Sequence, residues 1–95
     1  MIRILIVDDN QSRIEKFKLN LNNLIESNLV KIDEKSTSNA AKLALKLNQY
    51  DYLILDVFLP KKENDHPNEK NGLGLLKQIN SNSKFYAPKK IVGIT

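Results

Sequence analysis

Three carboxylates and one hydroxyl stand where apolar runs end: Ile4-Leu5-Ile6-Val7 meets Asp8-Asp9, Leu53-Ile54-Leu55 meets Asp56, and Ile91-Val92-Gly93-Ile94 meets Thr95. A carboxylate closing a buried run is costly unless something uses it. If these runs are parallel strands of one sheet, Asp8, Asp9, Asp56 and Thr95 gather on one rim. Crowded carboxylates raise one another's pKa unless a cation joins them, and an all-oxygen donor set suits Mg2+, which keeps several waters. Positions left open on such an ion can take phosphoryl oxygens, a free carboxylate can attack phosphorus, and the Thr95 hydroxyl can donate to a phosphoryl oxygen. Plainer readings exist: Asp8-Asp9 alone would cap a helix, and Thr is an ordinary strand residue. Asp56, inside an otherwise apolar run, favours the shared site.

The elements that would position these groups take turns along the chain. Ile2 to Val7 reads as a parallel strand covered on both faces. From Asn10 to Asn28 the apolar residues Ile14, Phe17, Leu21, Leu24 and Ile25 recur at helical spacing, with Arg13, Lys16, Lys18 and Asn22 on other faces. Ser12 with Glu15 has the form of a capping box, and Asp9 or Asn10 is an equal candidate for the cap. Leu29 to Glu34 alternates as a half-wet edge strand. Thr37 or Ser38 then caps a helix to about Asn48, with Ala40, Ala41, Ala44, Leu45 and Leu47 toward the sheet. Tyr52 to Val57 is the next strand, Lys61 to Asn71 a polar loop, and Gly72-Leu73-Gly74 opens a helix with Leu75, Leu76 and Ile79 inward. Ile91 to Thr95 is the last strand. Right-handed crossovers make this β-α-β-α-β-α-β order a parallel sheet with helices on both faces, whose ligands sit beyond the carboxyl ends of the strands.

Composition narrows the classes. Ninety-five residues hold one core and one domain. There is no Cys, which excludes a disulfide scaffold, a thiolate metal site and a cysteine nucleophile, and makes a cytoplasmic, reducing setting the expectation. No apolar run approaches the ~18 residues of a membrane span, so no membrane partner is expected. The net charge is +4, but 13 of the 15 cations are Lys scattered among acids, and direct nucleic-acid binding is not expected. Lys77, Lys84, Lys89 and Lys90, with Phe85 and Tyr86 among them, read as a solvated helix end and loop whose aromatics pack under the sheet. Tyr50, Tyr52 and Phe17 read as core or rim packing. His66, between Asp65 and Pro67, reads as a solvated loop residue rather than a metal ligand with Asp65 or Glu69.

The chain resembles the response regulator receiver domain of two-component signalling. The resemblance rests on Ile4-Leu5-Ile6-Val7-Asp8-Asp9, on Tyr52-Leu53-Ile54-Leu55-Asp56 with Leu59-Pro60 after it, on Gly72-Leu73-x-Leu75-Leu76 and on Ile91-Val92-Gly93-Ile94-Thr95, in that order. It implies an α/β fold, a three-layer α/β/α sandwich with a parallel sheet and flavodoxin-like, CheY-like topology, stopping after the fourth strand, with residues 1–95 as one receiver-like domain. Asp56 would be the phosphoacceptor and a Mg2+ ligand, Asp9 a direct ligand, Asp8 a ligand through water, the Phe58 backbone carbonyl a further ligand, and Thr95 the switch hydroxyl. The implied partners are a histidine kinase or phosphotransfer protein and an output domain or protein. The domain would assist its own phosphotransfer and dephosphorylation without being an enzyme.

Two departures qualify the match. Eleven residues lie between Pro60 and Gly72, where receivers usually have three; such a loop can cover the site, meet a partner or be a tolerated insertion. The family's fifth strand, with its phosphoryl-contacting lysine, and its last helix do not follow Thr95. The expectation is that these residues are the front part of a longer receiver, or that a second copy completes the sheet as a homodimer through an exposed edge. The rival readings are a phosphorylation-silent receiver-like scaffold and a phosphatase-type hydrolase. The latter would need a second Asp two positions after Asp56, where this chain has Phe58.

Overall fold

The computed structural model describes residues 1–81 and 84–94. Four parallel strands form one sheet in the order β2-β1-β3-β4, with β1 at Ile2–Val7, β2 at Val30–Lys35, β3 at Tyr52–Asp56 and β4 at Lys90–Ile94. The helices between them are α1 (Gln11–Asn20), α2 (Asn22–Glu26), α3 (Ser38–Leu47) and α4 (Glu69–Ser81). The alternating pattern thus produces the expected parallel α/β sandwich, with β2 on an edge.

Strand periodicity splits the apolar residues between two cores. Leu5, Val7, Leu53 and Leu55 pack on one face with Ala41, Ala44 and Leu45 of α3 and Leu75 and Ile79 of α4. Ile4 and Ile6 pack on the other with Ile14, and Phe17, Leu21, Ile25 and Ile54 close over them. Both faces are covered, so the central strands read as unbroken apolar runs rather than alternating ones. Among the described residues no helix is long and apolar enough to cross a membrane.

Several expected boundaries move, each for a local reason. The Asn10–Asn28 helix is interrupted at Leu21 (φ −105°, ψ 9°), whose N–H bonds the Lys18 carbonyl three residues back; the flanking Asn20, Asn22 and Asn23 are weak helix formers. Asn10 is the cap of α1, its side chain accepting the Arg13 N–H at 3.1 Å. Thr37 caps α3 through the Ala40 N–H. In α3 the inward stripe is Ala41, Ala44 and Leu45, while Leu47 falls off it and is 69% exposed. Phe85 packs into the core as expected, whereas Tyr86 is exposed. Tyr50 is buried with its hydroxyl on Asp33, and Tyr52 lies at the surface.

Helix α4 starts at Glu69, three residues before Gly72. Asn68 caps it by accepting the Lys70 N–H at 2.9 Å, and Glu69 puts an acid in the first turn, where the helix dipole favours one. The polar loop is correspondingly shorter than the sequence pattern suggests and is anchored at both ends. Pro60 and Lys61 carbonyls accept the free N–H groups of Ser38 and Asn39 at the start of α3, while Leu59 is buried and its carbonyl accepts from the Asn68 N–H and the Asn71 side-chain amide.

Candidate functional site

The register of the two central strands builds the site. Val7 of β1 stands opposite Leu55 of β3, so one step further each strand delivers a carboxylate, Asp8 and Asp56, to the same end of the sheet. β1 and β3 are also where the chain winding reverses, with α1 and α2 on one face and α3 and α4 on the other. Open α/β sheets place their ligand crevice at such a switch point. Asp8 is 1% and Asp56 3% exposed, and Asp9 is exposed; one oxygen from each of the three lies within 4.8 Å of the others. Three of the four expected side chains therefore converge. Thr95 lies outside the described residues, although the Ile94 carbonyl before it accepts the Val57 N–H at 3.2 Å and ties the end of β4 to the rim.

Short-range hydrogen bonds set the carboxylates. Asp8 Oδ1 accepts the Asn10 N–H at 2.9 Å, and Asp56 Oδ1 accepts the Phe58 N–H at 3.0 Å, so each acid is fixed by the backbone two residues ahead of it. Behind this segment α4 comes unusually close. A Cβ on Gly72 would lie 2.4 Å from both the Cα and the carbonyl oxygen of Val57, so only glycine lets the helix pack against the residue following Asp56.

A fourth residue joins the cluster that the sequence pattern did not select. The helical spacing places Arg13 on a solvated face, yet its guanidinium turns back over the rim. Nε donates to Asp8 Oδ2, and Nη2 donates to both Asp8 Oδ1 at 2.9 Å and Asp56 Oδ2 at 3.0 Å. The signal in the sequence is a cation in the first turn of a helix, where the macrodipole disfavours it, one turn beyond Asp9. His66 is exposed in the loop and belongs to no acid or His cluster among the described residues.

Charge and burial separate the two buried acids. Burial alone would raise Asp8, but the Arg13 hydrogen bonds, the Asn10 N–H and the Arg13 charge outweigh it and hold the carboxyl below its usual range. Asp56 is pushed up, chiefly by burial and then by the negative charges of Asp8 and Asp9, with the Phe58 N–H and Arg13 opposing. The hydrogen bond to Asp8 raises the Arg13 guanidinium further above its already high value. Raised Asp56 favours its neutral form in the fold, so its ionisation costs stability at neutral pH; that cost disappears as pH falls through its folded pKa toward 3.8, its ordinary value. Asp8 runs the other way, its contribution present above 3.8 and lost below. In chelator at pH 7, Asp56→Asn should therefore raise the thermal midpoint by a few degrees, and the gain should vanish below about pH 4. A midpoint that falls at neutral pH would mean that the Arg13 contact outweighs burial.

The donor set fits a hard divalent cation: three carboxylates, all oxygen, two of them buried with excess negative charge.

No protein-family model matches the chain. A curated relative, the uncharacterized protein y4jS of Sinorhizobium fredii, is 32% identical over 96 residues, covering 99% of this chain. The chain spans only 22% of that relative's length. Among solved structures it is similar to the CheY-like response regulator receiver domain from Methylobacillus flagellatus, with TM-score 0.67, 27% identity and coverage of 98% of this chain and 68% of that one. It is also similar to a mutant MaeR response regulator bound to sulfate (TM-score 0.63, 20% identity, 99% and 66% covered). The non-phosphorylated HemR receiver domain from Leptospira biflexa gives TM-score 0.64 at 18% identity, with 98% and 82% covered. Over nearly its whole length the chain has the CheY-like receiver fold, as the sequence motifs imply.

Proposed function

We propose that the chain is a phosphoryl-accepting switch of a two-component phosphorelay, with Asp56 as the acceptor. The observation that carries this reading is the convergence of Asp8, Asp9 and Asp56 at the switch point of a receiver fold. Asp8, Asp9 and Asp56, with the Phe58 carbonyl, would hold Mg2+, whose chemistry when bound is to neutralise the oxygens of the transferring phosphoryl group. A carboxylate oxygen of Asp56 attacks phosphorus, the P–N bond of a partner's phosphohistidine breaks, and the imidazole leaves with its electron pair and takes up a proton. An acyl phosphate remains on Asp56. The Phe58 N–H on Asp56 Oδ1 orients the attacking group, and the burial of Asp56 at the end of β3 keeps bulk water from competing.

The added charge on Asp56 is the switching event. It alters the rim shared with Val57 and the end of β4, with Thr95, the next residue in sequence, as the switch hydroxyl of this reading, and so changes affinity for an output partner. The partners of this reading are a histidine kinase or phosphotransfer protein in the cytoplasm and an output domain or protein. The chain is a regulatory acceptor rather than a turnover enzyme.

One observation favours a second reading. Arg13 already supplies a cation to Asp8 and Asp56, as a phosphorylation-silent scaffold of the same fold would need. Incubation with acetyl phosphate, with Mg2+ or with chelator, separates the two by intact mass. A Mg2+-dependent phosphoryl adduct supports the switch, and no adduct in either condition supports the scaffold.

A further inference from the structure

Arg13 breaks a local rule and is held in place by the site. It is the third residue of α1, in a first turn that contains no acid, where a positive charge opposes the helix dipole. Its side chain is 44% exposed, so its hold is the ion pairs rather than a packed core. Those ion pairs use both oxygens of Asp8 and Oδ2 of Asp56, on two of the three carboxylates that would hold a divalent ion. Asp56 Oδ1 and Asp8 Oδ1 are further engaged by backbone N–H groups. Among the described residues no buried side-chain polar atom is left without a partner, so the cluster is complete in hydrogen bonds with the guanidinium present.

We propose that Arg13 is a tethered counter-ion that competes with Mg2+ for Asp8 and Asp56, so that the divalent ion enters only as the guanidinium swings out. This inference rests on the phosphoacceptor reading and adds a threshold to it. Two arrangements share one acidic rim. With Arg13 inward the buried carboxylates are neutralised from within; with Arg13 outward they are free for the metal. A divalent ion near the inward guanidinium would meet a fixed positive charge at close range, and that repulsion makes the two exclusive. The apparent Mg2+ affinity is the intrinsic affinity multiplied by the small fraction of chains with Arg13 outward. Once the ion is in place, nothing in the first turn of α1 draws the guanidinium back. A partner that captured the outward Arg13 with its own carboxylate or phosphate would prime the site for metal and phosphoryl transfer.

The test is Mg2+ titration calorimetry on the whole chain and on Arg13→Gln, with the Arg13 Nε–H resonance of the unsubstituted chain followed over the same Mg2+ range. Arg13→Gln should bind Mg2+ at least ~10-fold more tightly, equivalent to about 1.4 kcal/mol. In the unsubstituted chain the Nε–H resonance should leave its Asp8-bonded position in step with Mg2+ saturation. Equal or weaker Mg2+ binding by a folded Arg13→Gln overturns the proposal, as does an Nε–H resonance unmoved at saturation. Should Arg13→Gln fail to fold, the resonance alone decides. Mg2+-dependent phosphorylation of Asp56 with no gain in affinity would sink the competition and leave the phosphoacceptor reading standing; Mg2+ binding to neither protein would sink both.

Discussion

Treated with acetyl phosphate and Mg2+, the chain gains the mass of one phosphoryl group and Asp56→Asn gains none. The carboxamide keeps the size of the side chain and can still accept the Phe58 N–H, so a folded protein is expected, but the amide oxygen is too poor a nucleophile to displace a phosphoryl leaving group. Asp8 is not a substitute acceptor. Arg13 engages both of its oxygens and holds it below the usual carboxylate range, which makes it the weaker base of the pair, whereas Asp56 is pushed up by burial and by its acidic neighbours. The loss should be complete at the sensitivity of intact mass measurement. An adduct of equal yield on Asp56→Asn would move the acceptor elsewhere and remove the reason for the cluster.

The largest effect on stability belongs to a residue with no side chain. Gly72→Ala places a methyl 2.4 Å from the Val57 backbone, which cannot rotate away as a side-chain tip can. Overpacking of this kind costs about 3 kcal/mol, only partly offset by the roughly 1 kcal/mol that Ala gains over Gly inside a helix. For a domain of this size, holding a total of roughly 5–15 kcal/mol, the net lowers the thermal midpoint by roughly 10–15 °C. Gly74→Ala is the control. A Cβ there meets nothing within 4 Å, so the same substitution two positions on should be neutral or stabilising. Equal effects at the two glycines would mean that α4 does not approach β3 as described. Because Val57 follows Asp56 directly, Gly72→Ala should also weaken Mg2+ binding in whatever protein remains folded.

What the sequence made legible was the part governed by strand geometry. Four apolar residues in a row, Ile4 to Val7, require cover on both faces, and the two cores divide them by alternate position. Parallel strands of equal direction then bring Asp8 and Asp56 together however far apart they lie in the chain. The parts that escaped were set by side-chain reach and by caps. Helical periodicity reports where a Cβ points, not where a long guanidinium ends, so Arg13 read as solvated while its tip lies on two buried acids. Gly72 drew attention as a helix opener, although the stronger signal was Asn68 followed by Glu69, an ordinary cap with an acid in the first turn. The role of the loop after Pro60 stayed open between cover, partner contact and tolerated insertion, because backbone contacts such as those from Ser38 and Asn39 to Pro60 and Lys61 leave no mark on composition.

The measurement closest to the central claim is paramagnetic broadening of backbone amides by Mn2+, which takes the same oxygen donors as Mg2+ and erases signals near the bound ion. If Asp8, Asp9 and Asp56 hold one divalent ion, the amides of Asp8, Asp9, Asn10, Val57 and Phe58 vanish first, while those around His66 and around Asp51 at the far end of the sheet persist. Broadening that begins at His66, or spreads over the surface acids without a focus, would contradict it.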